Sequence, residues 1–267
     1  PGEVVGRIGD IARVHLAHRE HDDTATDPRP HTRCPMHRRQ VTDHTESRPL
    51  RPHASHRYTP QPMETVVPSV AVFDFGGVVV EWSIRALLVE FFEDPADLDH
   101  FLTHVLTPAD NFRCDLGAPI ADVVGEIVDR HPEHRVPLEA WRDRWIETIP
   151  GEIPDTAELI DDLRAAGHRV LGLSNFSAET FPLCRAKYPV FDTFDDIVVS
   201  GEHGIAKPQA EIYHLVCERN GITPAEAVFF DDSPGNVTAA HAVGMGAHLF
   251  TDANQARLDL RADGFRV

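Results

Sequence analysis

The sequence predicts an α/β protein whose core is a doubly wound parallel (Rossmann-like) sheet, with an inserted α-helical subdomain. Three observations support this fold class. The apolar run from Val70 to Phe73 is followed by Asp74 and two glycines, which is typical of a buried parallel strand. From residue 155 onward helical and strand patterns alternate, and repeated β-α units indicate a parallel sheet. Between these parts, residues 83–148 show helical periodicity only.

The first predicted elements are a strand over residues 70–74 and four helices in residues 83–148. Apolar residues recur at helical spacing in SIRALLVEFF, DPADLDHFLTHVL, PIADVVGEIVDRH and PLEAWRDRWIETI. The second of these helices opens with an Asp-Pro start signal. We therefore expect residues 63–82 and 149–267 to form the core and residues 83–148 to form the inserted subdomain.

The alternating part of the chain contains five further helices and four further strands. Helices are predicted by DTAELIDDLRAAG, SAETFPLCRAK, PQAEIYHLVCERNG, SPGNVTAAHAVG and NQARLDLRADG. Strands are predicted by HRVLGLS, DIVVS, AVFF and AHLF. The order of these elements indicates crossover connections between parallel strands.

Residues 1–62 differ in composition from the remainder of the chain. They contain eight of the 17 histidines and eight of the 21 prolines, and they lack sustained apolar periodicity. Such a segment buries too little apolar surface to offset its ordering entropy, so we expect a disordered extension. Because Met63 lies just before the first strand, we also expect that translation starts there and that residues 1–62 are not native.

The formal net charge is −18, although residues 1–62 carry a small positive excess. An acidic body repels phosphate backbones, so we expect no nucleic-acid partner. No apolar run approaches the length of about 18 residues that a membrane helix needs, so no membrane partner is expected. The four cysteines are far apart, which favours free thiols and a cytoplasmic location. We expect a monomer or a homodimer.

Polar and charged residues follow the predicted strands at their carboxyl ends. The carboxyl ends of parallel strands lie at one edge of a sheet, so these groups are expected to converge there. Each residue alone has an ordinary explanation, since Asp and Asn are common in turns and Lys-Pro is common in surface loops. The candidate residues are Asp74, Ser174, Asn175, Lys207, Asp231 and Asp232.

This set of residues suits a metal ion and a phosphate group. Carboxylates in one cleft repel one another unless a cation lies between them, and Mg²⁺ prefers oxygen ligands together with a substrate phosphate. Lys207 and the Ser174 hydroxyl are suited to phosphate oxygens. An Asp beside a metal can act as a nucleophile. Gly76 and Gly77 allow the backbone to approach the ligand closely.

The segments VFDFGGVVVEW, LSNFS, AKP and FFDDSPGN resemble, in this order, the four motifs of the haloacid dehalogenase-like hydrolase superfamily. The resemblance extends from about residue 70 to residue 250. The nearest subgroup is the sugar-phosphate phosphatases related to glucose-1-phosphatase and to the phosphatase domain of soluble epoxide hydrolase. The helical subdomain resembles the α-helical cap of that superfamily, and the remainder resembles its hydrolase core.

The resemblance implies a role for each candidate residue. It implies that Asp74 is the nucleophile and forms an aspartyl-phosphate. It further implies that Mg²⁺ is held by Asp74, the Gly76 carbonyl and Asp232, with Asp231 assisting. The phosphoryl group would be bound by Ser174, Lys207 and the backbone at Gly77, and the site would be ordered by Asn175 and Asn236.

One position departs from the pattern of the resembled phosphatases. These usually carry a second Asp two residues after the nucleophile as general acid/base, and Gly76 occupies that position here. General acid/base catalysis contributes a factor of about 10²–10⁴. We expect a slow enzyme or a substitute acid, for which Glu81 is the candidate, although a solvated Glu is the plainer interpretation.

The function predicted from the sequence is a Mg²⁺-dependent phosphatase that acts on a small phosphorylated metabolite of the sugar-phosphate kind. Two alternatives remain open: a 2-haloacid dehalogenase, which needs no second acid, and a non-catalytic binding protein. The Asp231–Asp232 pair favours the phosphatase because two adjacent acids suit a cation. We expect the cap to select the substrate through Asn111 and Arg113, which lie in DNFRCDLGAP, a segment expected to form a polar turn.

Overall fold

A computed structural model describes residues 67–267, so the expectations for residues 1–62 and for Met63 lie outside the described residues. The core is a five-stranded sheet in the order β3-β2-β1-β4-β5, and every pair of neighbours is parallel. The predicted doubly wound parallel sheet is confirmed. The strands are β1 (Val70–Phe73), β2 (Arg169–Ser174), β3 (Asp196–Val199), β4 (Ala227–Asp231) and β5 (Gly246–Leu249).

Helices cover both faces of the sheet, as the alternation of side chains along β1 requires. Val72 faces a core with α8 and α9, whereas Phe73 faces a core with α6, α7 and α10. Burial on both faces explains why the strands are nearly continuous apolar runs. These helices are α6 (Thr156–Ala165), α7 (Phe181–Lys187), α8 (Ala210–Asn220), α9 (Pro234–Ala242) and α10 (Ala253–Ala262).

The segment between β1 and α6 contains five α-helices and no element of the sheet. Asp94 caps α2 through its side chain, and Pro95 occupies the first turn, as the Asp-Pro signal predicts. The division of the chain into a core and a cap stays a prediction. The helices are α1 (Ile84–Leu88), α2 (Pro95–His104), α3 (Pro108–Asp115), α4 (Ile120–Arg130) and α5 (Arg135–Asp143).

The expectation of a polar turn over residues 110–119 is wrong, because α3 occupies the first six of these residues. Thr107 and Asp110 form a capping box at the start of α3, in which each side chain accepts from the other residue's backbone N–H. The helix continues to Asp115, and Gly117 then reverses the chain with a φ of +97°. Only the last four residues of the expected turn form a loop.

The two ends of the helical segment enter and leave the core side by side. The Glu81 backbone N–H donates to the Gly151 carbonyl at 2.9 Å, and the Ile153 N–H donates to the Val79 carbonyl at 2.9 Å. The helical segment therefore begins and ends at adjacent points of the core, in the segment that follows β1. None of the helices within residues 67–267 is both long enough and apolar enough to cross a bilayer.

Candidate active site

Asp74 lies directly after β1, and its side chain is held by three donors. Its Oδ1 accepts from the Phe75 backbone N–H at 2.6 Å, the Ser174 hydroxyl at 2.8 Å and the Lys207 ammonium at 2.8 Å. The residue is only 7% exposed. All three contacts involve one carboxylate oxygen, so the orientation of the carboxylate is fixed while Oδ2 takes part in none of them.

Lys207 connects the carboxyl ends of β1 and β4. Its Nζ lies 2.8 Å from Asp74 Oδ1 and 2.7 Å from Asp231 Oδ2, and its side chain is 1% exposed. The ammonium also lies 5.3 Å from the centre of the Phe229 ring, which is a cation–π distance. One buried cation therefore faces two buried carboxylates, and the remaining negative charge calls for a second cation.

Asn175 fixes the backbone of Lys207. Its Nδ2 donates to the Lys207 carbonyl at 2.9 Å, and its Oδ1 accepts from the Lys207 N–H at 2.8 Å. Asn175 follows the last residue of β2, so this pair ties the loop before α8 to the sheet edge. The direction of the ammonium towards Asp74 therefore follows from the backbone position that Asn175 imposes.

Asp231 ends β4 and organises the beginning of α9. Its Oδ1 accepts from the Ser233 backbone N–H at 2.8 Å, and the Asn236 amide lies 3.0 Å from both carboxylate oxygens. Asp231 is fully buried and held on every side, whereas the adjacent Asp232 is exposed. This division leaves Asp232 as the member of the pair that is free to approach a ligand from solvent.

Three carboxylates at this edge could hold a metal ion. One oxygen each from Asp74, Asp231 and Asp232 lies within 4.8 Å of the others. Burial, together with the charge of Asp231, raises the pKa of Asp232, which the charge of Lys207 opposes. Burial, together with the charges of Asp231 and Asp232, raises the pKa of Asp74 to about 7 against the opposing charge of Lys207. A divalent cation would relieve this crowding, and an all-oxygen donor set fits Mg²⁺.

Gly77 allows Asp232 to approach the turn after β1. Its φ is +76°, and a Cβ at this position would lie 2.5 Å from Asp232 Oδ2. The Gly77 N–H donates to the Val80 carbonyl at 2.8 Å, which closes the turn. The sequence predicts that the backbone at Gly77 approaches a ligand closely. In the structure, the group close to Gly77 is the Asp232 carboxylate.

Gly77→Ala is expected to displace Asp232 and to abolish most catalytic activity. The methyl group overlaps the carboxylate and is strained at positive φ, so the free energy of unfolding should fall by more than about 1 kcal/mol. A displacement of about 1 Å in a site costs roughly 10²-fold in rate. The matched control is Gly125→Ala in α4, where a Cβ meets nothing within 4 Å and should stabilise the helix by about 0.5–1 kcal/mol. Urea unfolding measures the stability of both variants, and phosphatase assays measure their activity. A Gly77→Ala variant with full activity would contradict the expectation.

The structure gathers the candidates of the sheet edge, whereas the two predicted cap residues lie on different faces of α3. Asn111 lies on α3, and its Nδ2 donates to Asp115 Oδ2 at 3.0 Å. Arg113 forms an exposed ion pair with Glu126 of α4 at 2.8 Å, so its guanidinium is outside the gathered group. Glu81 is exposed, in keeping with the plainer interpretation of a solvated side chain.

Asp115 is a further carboxylate near the gathered group, and the sequence reasoning did not identify it. Burial raises the pKa of Asp115 to about 8, and the negative charge of Asp74 contributes to the shift, while Asn111 and Lys207 oppose it. The carboxyl group therefore lies close enough to Asp74 for the two charges to interact. The signal in the sequence is the four-residue spacing of Asn111 and Asp115, which places both on one helix face, whereas Arg113 lies on another.

A family model described as haloacid dehalogenase-like hydrolase matches residues 68–244. The chain belongs to this family. A solved HAD family enzyme from Bacteroides thetaiotaomicron, in complex with magnesium and inorganic phosphate, is 22% identical with a TM-score of 0.57. The likeness covers 69% of this chain and 95% of that one, and it supports the fold.

Two curated relatives of this haloacid dehalogenase-like hydrolase are named as phosphatases. Sesquiterpene phosphatase astK of Aspergillus oryzae is 38% identical over 104 residues, which are 39% of this chain and 53% of that protein. Phosphatase MT3486 of Mycobacterium tuberculosis is 31% identical over 108 residues, 39% of this chain and 48% of that protein. The chain thus spans about half the length of these relatives.

Proposed function

We propose that this haloacid dehalogenase-like hydrolase is a Mg²⁺-dependent phosphomonoesterase acting on a small phosphorylated metabolite. The observation that carries the proposal is the buried ammonium of Lys207 between Asp74 and Asp231, with Asp232 completing a cluster of three carboxylates. A cation and a hydroxyl for phosphate oxygens, beside carboxylates for a divalent ion, form a donor set for a phosphate ester. The phosphatase names of two relatives support the same reaction.

In the proposed reaction one side chain attacks phosphorus, and the other groups stabilise negative charge. Asp74 Oδ2, which none of the three donors contacts, is the oxygen available to attack phosphorus and form an aspartyl-phosphate. Ser174 and Lys207 hold the Asp74 carboxylate in place and would donate to phosphoryl oxygens. Mg²⁺ would be held by Asp74, the Gly76 carbonyl and Asp232, with Asp231 assisting, and would neutralise charge on the phosphoryl oxygens.

The dehalogenase alternative would use Asp74 as the nucleophile, but its reaction has no role for the Asp231–Asp232 pair. A 2-haloacid carries a carboxylate, which the charges of Asp231 and Asp232 would repel in the absence of a cation. The Asp232 carboxyl group, whose pKa is raised by partial desolvation and by the charge of Asp231, is an unfavourable neighbour for such a substrate. The absence of a side-chain acid at Gly76 is compatible with both reactions, and the carboxylate cluster is the observation that supports the phosphatase.

A substrate screen carried out with and without Mg²⁺ tests the proposal. Sugar phosphates, nucleotides, an isoprenyl phosphate and 2-haloacids are each incubated with the full chain in Mg²⁺ or in EDTA. We expect phosphate release with Mg²⁺, loss in EDTA and recovery when excess Mg²⁺ is added. Halide release that persists in EDTA would instead establish the dehalogenase. A folded protein inactive on every compound would support a binding role.

A further inference from the structure

None of the three carboxylates at the sheet edge is available to protonate a leaving group, because Asp74 attacks phosphorus and Asp231 and Asp232 would hold the metal ion in the proposed reaction. Asp231 is fully held by Lys207, Ser233 and Asn236, and Asp74 is needed for attack. Gly76 offers no side chain, although a Cβ there would only touch the Trp82 Cβ at 3.6 Å. Packing therefore does not force glycine at this position. An alkyl phosphate nevertheless requires a proton on its departing oxygen, so a donor must come from another part of the chain.

The end of α3 is fastened to the sheet edge that carries the site. The Ser200 hydroxyl, directly after β3, donates to the Asp115 backbone carbonyl and accepts from the Phe176 N–H at 2.9 Å. A Cβ at Gly117 would lie 2.9 Å from the Gly201 carbonyl oxygen, so the loop after α3 packs directly on the loop after β3. Asp115 is thus held over the carboxyl ends of β2 and β3, next to the strand that carries Asp74.

Among the described residues, the side chain of Asp115 has one hydrogen-bond partner, and two charged groups act on it. Asn111, one turn earlier on α3, donates to Oδ2 at 3.0 Å and leaves Oδ1 outside that bond. From the sheet edge, Asp74 and Lys207 act on Asp115 with opposite signs. From the loop before α7, Glu179 faces the adjacent Cys114 and accepts from the Ile120 N–H at 3.0 Å. The raised pKa of Asp115 means that the group can carry a proton near neutral pH.

Building on the proposed phosphatase function, we propose that Asp115 is the general acid and base of the reaction. When Asp74 attacks phosphorus, the bond between phosphorus and the leaving oxygen breaks. The carboxylic acid of Asp115 transfers its proton to that oxygen, which releases a neutral alcohol and leaves a carboxylate. Asp115 then accepts a proton from water as the water oxygen attacks phosphorus, and the bond to Asp74 breaks to yield inorganic phosphate.

Asp115→Asn tests this assignment through its dependence on the leaving group. Hydrolysis of an alkyl phosphate should slow by about 10²–10⁴-fold, because the alkoxide then departs without a proton. The kcat/KM of p-nitrophenyl phosphate, which reports the steps up to departure of the leaving group, should change little, because nitrophenolate is stable without a proton. By contrast, kcat should fall for both esters, because hydrolysis of the aspartyl-phosphate also uses Asp115. The control is Asp129→Asn, an exposed carboxylate on α4, which should leave both rates unchanged. Thermal unfolding of each variant verifies that the comparison is between folded proteins.

Asn111→Ala provides an independent readout that a structural role would not produce. The Asn111 hydrogen bond stabilises the ionised form of Asp115, so its removal should raise the pKa of Asp115. Because the acid must be protonated in the first step, activity on the alkyl phosphate should persist to higher pH than in the wild type. The alkaline limb of kcat/KM should therefore move upward in Asn111→Ala and should be absent in Asp115→Asn.

The outcomes separate this proposal from the phosphatase proposal. Equal losses in kcat/KM on both substrates, or no loss on either, would overturn the role of Asp115 and leave a phosphatase in place. An alkaline limb of the kcat/KM profile that does not shift in Asn111→Ala would also overturn the role of Asp115. A wild-type protein that hydrolyses neither ester in Mg²⁺ would overturn both proposals together.

Discussion

Asp74→Asn is expected to remove phosphatase turnover, by about 10⁶-fold if the loss matches removal of a covalent nucleophile from another hydrolase. The amide is nearly the same size as the carboxylate and keeps an oxygen for the Phe75 N–H and the Ser174 hydroxyl, so the fold should persist. Lys207 keeps its contact with Asp231 at 2.7 Å, so the ammonium does not lose its only partner. The measurement is kcat on p-nitrophenyl phosphate in Mg²⁺, together with the circular dichroism spectrum.

The same substitution should stabilise the metal-free protein at alkaline pH. The pKa of Asp74 is raised from 3.8 to about 7 by burial against the opposing charge of Lys207, so the folded state disfavours its ionised form. Stability linked to this group is present below pH 3.8 and is lost as the pH rises towards 7. Asn carries no charge, so Asp74→Asn should exceed the wild type in Tm at pH 8 and approach it near pH 4.

The control for this experiment is Asp129→Asn, which removes a carboxylate from an exposed helix surface. It should leave kcat unchanged and show no comparable rise in Tm at pH 8. An Asp74→Asn variant with wild-type turnover would remove the covalent mechanism. A Tm below that of the wild type at pH 8 would show that the Asp74 carboxylate supports the fold, in contrast to the electrostatic argument.

The convergence of the site could be predicted because parallel strands bring their carboxyl ends to one edge of the sheet. The apolar runs identified β1, β2 and β4, so the polar residues at the carboxyl ends of these strands could be assigned to one edge of the sheet. Ser174 reaches Asp74 at 2.8 Å although 100 residues separate them in the sequence. The loop that carries Lys207 has no such periodic signal, and the sequence placed Lys207 only by its position just before the helix predicted from PQAEIYHLVCERNG.

The helical segment was less predictable because helix phase and packing decide which side chains approach the sheet. The polar composition of residues 110–119 indicated a turn, whereas the Thr107–Asp110 capping box starts a helix there. Within this helix, Arg113 lies two residues from Asn111 and so lies on a different face, where Glu126 pairs with it. The packing of Gly117 against Gly201 is a long-range contact that no local pattern encodes.

Lys207→Met is expected to have the largest effect on stability and to abolish activity as well. Removing the ammonium leaves Asp74 and Asp231 buried together without a cation, and breaking a buried ion pair costs about 3–5 kcal/mol. Without Lys207 the pKa of Asp74 should rise further. The deficit in unfolding free energy should therefore grow as the pH rises, since the ionised carboxylate is the form that lacks a partner. Urea unfolding between pH 5 and pH 8 measures this trend.

The chain offers a matched control because it contains only one other lysine, Lys187. That residue is exposed and donates to the Ile149 carbonyl at 2.8 Å, so Lys187→Met should cost no more than about 1 kcal/mol and leave the rate unchanged. Lys207→Arg should also be inactive, because the planar guanidinium cannot replace a compact ammonium that contacts two carboxylates at 2.7 and 2.8 Å. Wild-type rate constants in Lys207→Arg would count against contact between Lys207 and phosphate.

A double variant separates the two roles of Lys207. In Lys207→Met with Asp231→Asn, one of the two uncompensated carboxylates is removed, so part of the lost unfolding free energy should return. Catalysis should not return, because the ammonium that contacts Asp74 and would bind the phosphoryl group is still missing. If instead the losses of the two single variants simply add, the ion pair contributes little to the fold, and the ammonium serves in this site for its action on the substrate alone.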